Sequence, residues 1–114
     1  ITPNIEKGDL LVVLSGSGQT PLTREWVRIA RENRARSCGI IGIEDSPVGR
    51  DLDYRLTLAA GSKLGPADLS ETDQPPGSLF EQVAFVLLEA IVIIICNRRG
   101  IDPRTILDRH ANLE

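Results

Sequence analysis

Leu10-Leu11-Val12-Val13-Leu14, followed at once by Ser15-Gly16-Ser17-Gly18-Gln19-Thr20-Pro21, is the stretch on which the fold turns. Five consecutive apolar residues without polar alternation have the pattern of a parallel strand buried on both faces. The serine and glycine run breaks that strand, and Thr20 with Pro21 offers an N-cap and a first-turn residue for a helix. Leu22, Trp26, Ile29, Ala30 and Asn33 then recur at helical spacing. The order strand, glycine loop, helix is predicted. Arg24, Arg28, Arg31, Arg34 and Arg36, tempered by Glu25 and Glu32, read as a solvated face of that helix, and Trp26 as a core residue.

Working outward, residues 38–43 form the next apolar run, and residues 54–58 read as a third, shorter strand. A helix between two such runs makes a right-handed βαβ crossover the natural topology. Residues 59–77 carry Gly61, Gly65 and Gly77 with Pro66, Pro75 and Pro76, a composition expected of a long connecting loop. Residues 78–97 read as a long helix with a thin polar stripe of Ser78, Gln82 and Glu89, so it is expected to be buried nearly all round. Asp102 and Pro103 open a last helix through N-cap and first-turn chemistry. The fold class is therefore α/β, a parallel sheet of about three strands with flanking helices.

A length of 114 residues and 41% hydrophobic composition suit one core rather than two. The formal net charge of −3 excludes a general nucleic-acid binder, which needs a basic face to neutralise a phosphate backbone. Small anions stay possible, because a single loop can bind them. Cys38 and Cys96 sit in apolar stretches and read as free thiols, in keeping with a reducing, cytoplasmic setting. The opening Ile1-Thr2-Pro3-Asn4 has no signal-peptide pattern. The apolar run 83–96 falls short of the roughly 18–20 residues that cross a bilayer and carries Glu89, so no membrane association is expected.

Ser15 to Thr20 stand between a buried strand and a helix N-terminus, where free amides and the helix dipole favour an anion. The hydroxyls of Ser15, Ser17 and Thr20 add donors without adding charge. No Gly-Lys-Ser/Thr follows, and Pro21 stands where a dinucleotide fingerprint has its third glycine, so ATP and NAD are poor candidates. The same residues also fit a tight turn that binds nothing, and their pattern alone leaves both readings open. Glu81, in the first turns of the long helix, is either a dipole-stabilised acid or a general base. His110, the single histidine, is either a solvated residue or a proton shuttle.

Three segments together resemble the SIS phosphosugar-binding domain and, within it, the 6-phospho-3-hexuloisomerases. They are Gly8-Asp9-Leu10 leading into Ser15-Gly16-Ser17-Gly18-Gln19-Thr20, the stretch Gln74-Pro75-Pro76-Gly77-Ser78-Leu79-Phe80-Glu81-Gln82, and the ending Arg109-His110-Ala111-Asn112-Leu113-Glu114. The second is the most specific, although Pro76 stands where members of the family often have Met. The resemblance implies that residues 1–114 correspond to the later part of such a domain, and that their sheet is a partial doubly wound parallel sheet of about three strands with flanking helices. It further implies that Ser15, Gly16, Ser17, Gly18, Gln19 and Thr20 hold the phosphate of a sugar phosphate. Glu81 would then be the base, with His110 reaching in from a neighbouring subunit. The implied reaction moves a carbonyl from C3 to C2 of a hexulose 6-phosphate through an enediol, which calls for no metal and no cofactor. A second reading is a non-catalytic, truncated module that oligomerises or senses phosphosugars. Either way a homo-oligomer, dimer or tetramer, is expected through helix 78–97.

Overall fold

The computed structural model describes residues 4–60, 73–102 and 104–107. His110, and residues 61–72 of the expected loop, lie outside the described residues. The elements run β1 (Leu10–Ser15), α1 (Pro21–Glu32), β2 (Arg36–Ile41), α2 (Pro47–Asp51), β3 (Tyr54–Thr57), α3 (Ser78–Arg99) and α4 (Arg104–Leu107). The chain divides into two compact units, Ile1–Ala84 and Phe85–Glu114.

In the first unit the three strands form one parallel sheet in the order β1-β2-β3. Leu10 lies opposite Arg36 and Ser15 opposite Ile41, while Cys38 lies opposite Tyr54. Because side chains alternate along a strand, Leu11, Val13 and Ile41 share one face with Ser15 and Ser37. That face carries the core: Val13, Val27, Ile41, Val48 and Leu52, with Leu11 packed against it. The helix α1 is strongly amphipathic and turns Thr23, Val27 and Ala30 inward. Its arginines point outward as expected, Arg28 bonding Glu25 and Glu32 and Arg24 meeting Asp51 at 2.5 Å.

Three expectations are corrected here. β1 is covered on one face only: Val13 is buried, whereas Leu10, Val12 and Leu14 are about half exposed, as are Tyr54 and Leu56 across the same sheet face. The apolar run identified the strand correctly, but no described element covers that side of it. Trp26 is not in the core; it is 48% exposed and lines an open groove of about 700 Å³ with Ile5, Leu11 and Ile29. Its position lies beside, not on, the stripe that Thr23, Val27 and Ala30 turn toward the sheet. β2 runs Arg36–Ile41, two residues earlier than the apolar run suggested, because its pairing begins where the chain leaves α1 and not where hydrophobicity begins.

The helix α3 starts in the first unit and continues into the second. It is 22 residues long and contains an 18-residue stretch with a mean hydropathy of 2.4, long and apolar enough by length and composition to cross a membrane. The run 83–96 is shorter than this stretch, because Leu79 and Phe80 extend the apolar length ahead of it, across Glu81 and Gln82. Within the second unit Phe85, Val86, Val92, Ile93, Ile94 and Ile95 are exposed, so the described residues do not supply the burial expected all round this helix. After α3, Ile101 donates its amide to the Cys96 carbonyl (2.9 Å), and Asp102 Oδ1 accepts from the Arg104 amide (2.9 Å) at the start of α4. Cys38 and Cys96 are both free, the first half-buried and the second buried.

Candidate functional site

The serine and glycine loop leaves the carboxyl end of β1, the end at which open parallel sheets place their ligands. Ser15 is the last residue of the strand and is 6% exposed; its Oγ accepts the Gly18 amide at 3.0 Å. Ser17 Oγ accepts the Gln19 amide at 3.3 Å. Two amides expected to face an anion are thus satisfied by the loop's own serines. Each serine uses a lone pair in these bonds and keeps its O–H proton for another acceptor, so the loop presents hydroxyls where amides were expected. Thr20 occupies the N-cap position of α1, yet its side chain makes no capping bond. Its hydroxyl therefore stays available, contrary to the capping role read from the sequence.

The loop is held from below by the segment that follows β2, which sequence reasoning passed over. The Gly42 amide donates to the Ser15 carbonyl (3.3 Å), and Gly42 lies so close to Gly16 that a Cβ on it would overlap the Gly16 carbonyl oxygen. The Val48 amide donates to the Gly18 carbonyl (2.9 Å). Gly18 itself has φ +62°, a left-handed conformation that costs a residue with a Cβ but not glycine. Ser46 and Pro47, an N-cap and first-turn pair, were the available signal for α2. Five residues are too few for a periodicity to show.

The second specific segment reaches the same place. The Ser78 amide donates to the Pro75 carbonyl (2.9 Å), closing the turn that launches α3, and the Glu81 amide donates to Gly77 (3.1 Å). Side-chain amides hold the turn to the helix: Gln74 Nε2 donates to Gln82 Oε1 (3.3 Å), and Gln82 Nε2 donates to Ser78 Oγ (3.4 Å). Phe80 is buried against the loop, its ring 3.2 Å from where a Gly16 Cβ would stand. The structure thus brings the first turn of α3 to the loop through Phe80. Glu81, the next residue, is exposed in that turn. Beyond Gln19 and Pro21 an open groove of about 530 Å³ continues along α1 past Arg24, Arg28 and Arg31. No cluster of three or more histidine, cysteine or acidic side chains fit for a metal occurs among the described residues.

A family model described as the SIS domain matches residues 1–71. Over its whole length the chain is 29% identical to a 3-hexulose-6-phosphate isomerase of Bacillus subtilis, covering 62% of that protein. Over 113 residues, 99% of its length, it is 35% identical to a 3-hexulose-6-phosphate isomerase of Mycobacterium gastri, covering 56% of it. A crystal structure of a hypothetical protein from Methanococcus jannaschii, whose inferred molecular function is 3-hexulose-6-phosphate isomerase, superposes with a TM-score of 0.81 at 29% identity. The match covers 99% of this chain and 59% of that one. The chain therefore spans about three fifths of the length of these relatives.

Proposed function

The chain belongs to the SIS domain family, and from that premise we propose that it forms the later part of a sugar-phosphate isomerase domain acting on 3-hexulose 6-phosphate. The observation that carries this reading is the loop after β1, whose Ser15 and Ser17 hydroxyls accept from backbone amides and retain their protons. A phosphate needs several donors, and Ser15, Ser17 and Thr20 supply three at one strand end next to a helix N-terminus.

In this reading the phosphate of the substrate sits on Ser15 to Thr20, and the carbon chain extends toward the first turn of α3. Glu81 removes the proton from C2 of the 3-ketose, and the electron pair moves into a 2,3-enediol as the C3 carbonyl oxygen gains a proton. His110, contributed by a neighbouring subunit, carries the proton between the two oxygens. Return of a proton to C3 then leaves the carbonyl at C2, which is fructose 6-phosphate. A carboxylate on a helix N-terminal turn is a suitable base for such a transfer. Assembly into a dimer or tetramer through α3 and a reducing, cytoplasmic setting belong to the same reading. The exposed apolar side chains of α3 and the free thiols of Cys38 and Cys96 support them.

The test is an isomerase assay with 3-hexulose 6-phosphate on the assembled protein and on its Glu81→Gln variant. The substitution keeps the shape and removes the base, so turnover should fall by about 10²–10⁴ with little change in KM. Turnover unaffected by the substitution would remove Glu81 from the reaction. A chain that binds the sugar phosphate without converting it would favour the module that senses phosphosugars.

A further inference from the structure

We propose that Ser46, in the segment after β2, is the positioning residue of the phosphate loop: it holds Gly18 in the conformation that aims the loop's hydroxyls. The inference deepens the reading of Ser15 to Thr20 as a phosphate site and rests on it. Ser46 is 2% exposed, and its Oγ accepts the Gly49 amide at 3.1 Å, which caps α2. The cap fixes the direction of the first turn of α2, and from that turn the Val48 amide donates to the Gly18 carbonyl at 2.9 Å. The same Ser46 side chain closes off the space above Gly18, where a Cβ would overlap its Oγ and Cβ. Gly18 is thereby held from two directions, by a hydrogen bond at its carbonyl and by steric contact at its Cα.

What this fixes is the path of the loop. With its carbonyl on Val48 and φ at +62°, Gly18 turns its own amide back onto Ser15 Oγ, which occupies one lone pair of that oxygen and leaves its proton to offer. If Gly18 were released, Ser15 Oγ would lose the acceptor role that orients it, and Ser17, one residue back, would lose its path as well. Ser46 touches no substrate in this account; it acts through Gly18.

The experiment combines a titration of the isotope-labelled chain with inorganic phosphate and amide hydrogen exchange, on the wild type and on Ser46→Ala. Loss of one orienting contact should weaken phosphate binding about tenfold. The Gly18 amide should exchange faster in the variant, while the Val27 and Ile41 amides keep their protection. Unchanged affinity with Gly18 still protected would overturn the inference, and so would a uniform loss of protection across the core, since Ser46 would then act on the whole fold. Should Ser46→Ala fail to fold, Gly18→Ala is measured instead: its Cβ would have to push the Ser46 hydroxyl aside, so the Gly49 amide that this hydroxyl receives should exchange faster as phosphate affinity falls. A Gly49 amide that keeps its protection in Gly18→Ala would overturn the inference. A wild type that binds no phosphate would overturn the phosphate reading itself, and the exchange of Gly18 would still decide whether Ser46 holds the loop.

Discussion

Ser15 and Ser17 have the same side chain and different neighbourhoods, so their loss should be felt differently. The Gly18 amide that Ser15 receives is buried, and without its oxygen that amide has no acceptor in the loop as it stands. Leaving a buried donor unsatisfied costs about 1–3 kcal/mol. Ser15→Ala should therefore lower the melting temperature as well as phosphate affinity. The Gln19 amide that Ser17 receives is exposed and can turn to water. Ser17→Ala should weaken phosphate binding by about tenfold, or ~1.4 kcal/mol, and leave the melting temperature nearly unchanged. Thermal denaturation beside a phosphate titration separates the two, and equal effects of both substitutions on melting would contradict the assigned geometry. The sequence named these hydroxyls but not their use, because whether a serine serves the backbone or a ligand depends on where the next two amides point.

Among the elements, β2 and the approach to β3 are tied by one acidic side chain. Asp53 Oδ2 accepts the Ser37 amide at 2.8 Å and the Ser37 hydroxyl at 3.0 Å, and the Asp53 amide donates back to Ser37 Oγ at 3.1 Å. The Ser37 amide and then its hydroxyl hold the Asp53 carboxyl below the usual carboxylate range. A group more acidic in the folded state contributes stability above its unfolded pKa, about 3.9, and loses it as pH falls through the lowered folded value. Denaturant unfolding should therefore show wild type exceeding Asp53→Asn in stability at about pH 6, with the gap shrinking below about pH 4. A gap independent of pH would mean that the charge contributes nothing. This tie was invisible in sequence, since residues 37 and 53 meet only once the strands are in register. β1 and β2, by contrast, were legible from runs of apolar residues, and α1 from its periodicity with Pro21. The helix α2 was missed because it has less than two turns, and the ends of β2 because pairing, not hydrophobicity, sets them. Of the candidate site, the loop and the first turn of α3 were legible as separate segments. Their meeting through Phe80 and Gly16 was not.

At the scale of the whole molecule, the exposed apolar surface of α3 and the unpaired edge of β1 among the described strands call for partners. Each large apolar side chain of α3 left in water forgoes roughly 1.5–3 kcal/mol of burial, and a long apolar edge strand is a template for pairing. The chain should therefore sediment as a dimer or tetramer at micromolar concentration, and a stable, well-folded monomer would contradict assembly through α3. Assembly also bears on the chemistry, since His110 is proposed to come from a neighbouring subunit. The central claim, that this SIS domain chain holds a sugar phosphate on the loop between β1 and α1, is tested most directly by a crystal structure with fructose 6-phosphate. The account predicts phosphate oxygens within about 2.5–3.0 Å of the Ser15, Ser17 and Thr20 hydroxyls, with the sugar directed toward Glu81. A sugar phosphate bound elsewhere, with those three hydroxyls turned away from it, would contradict the account.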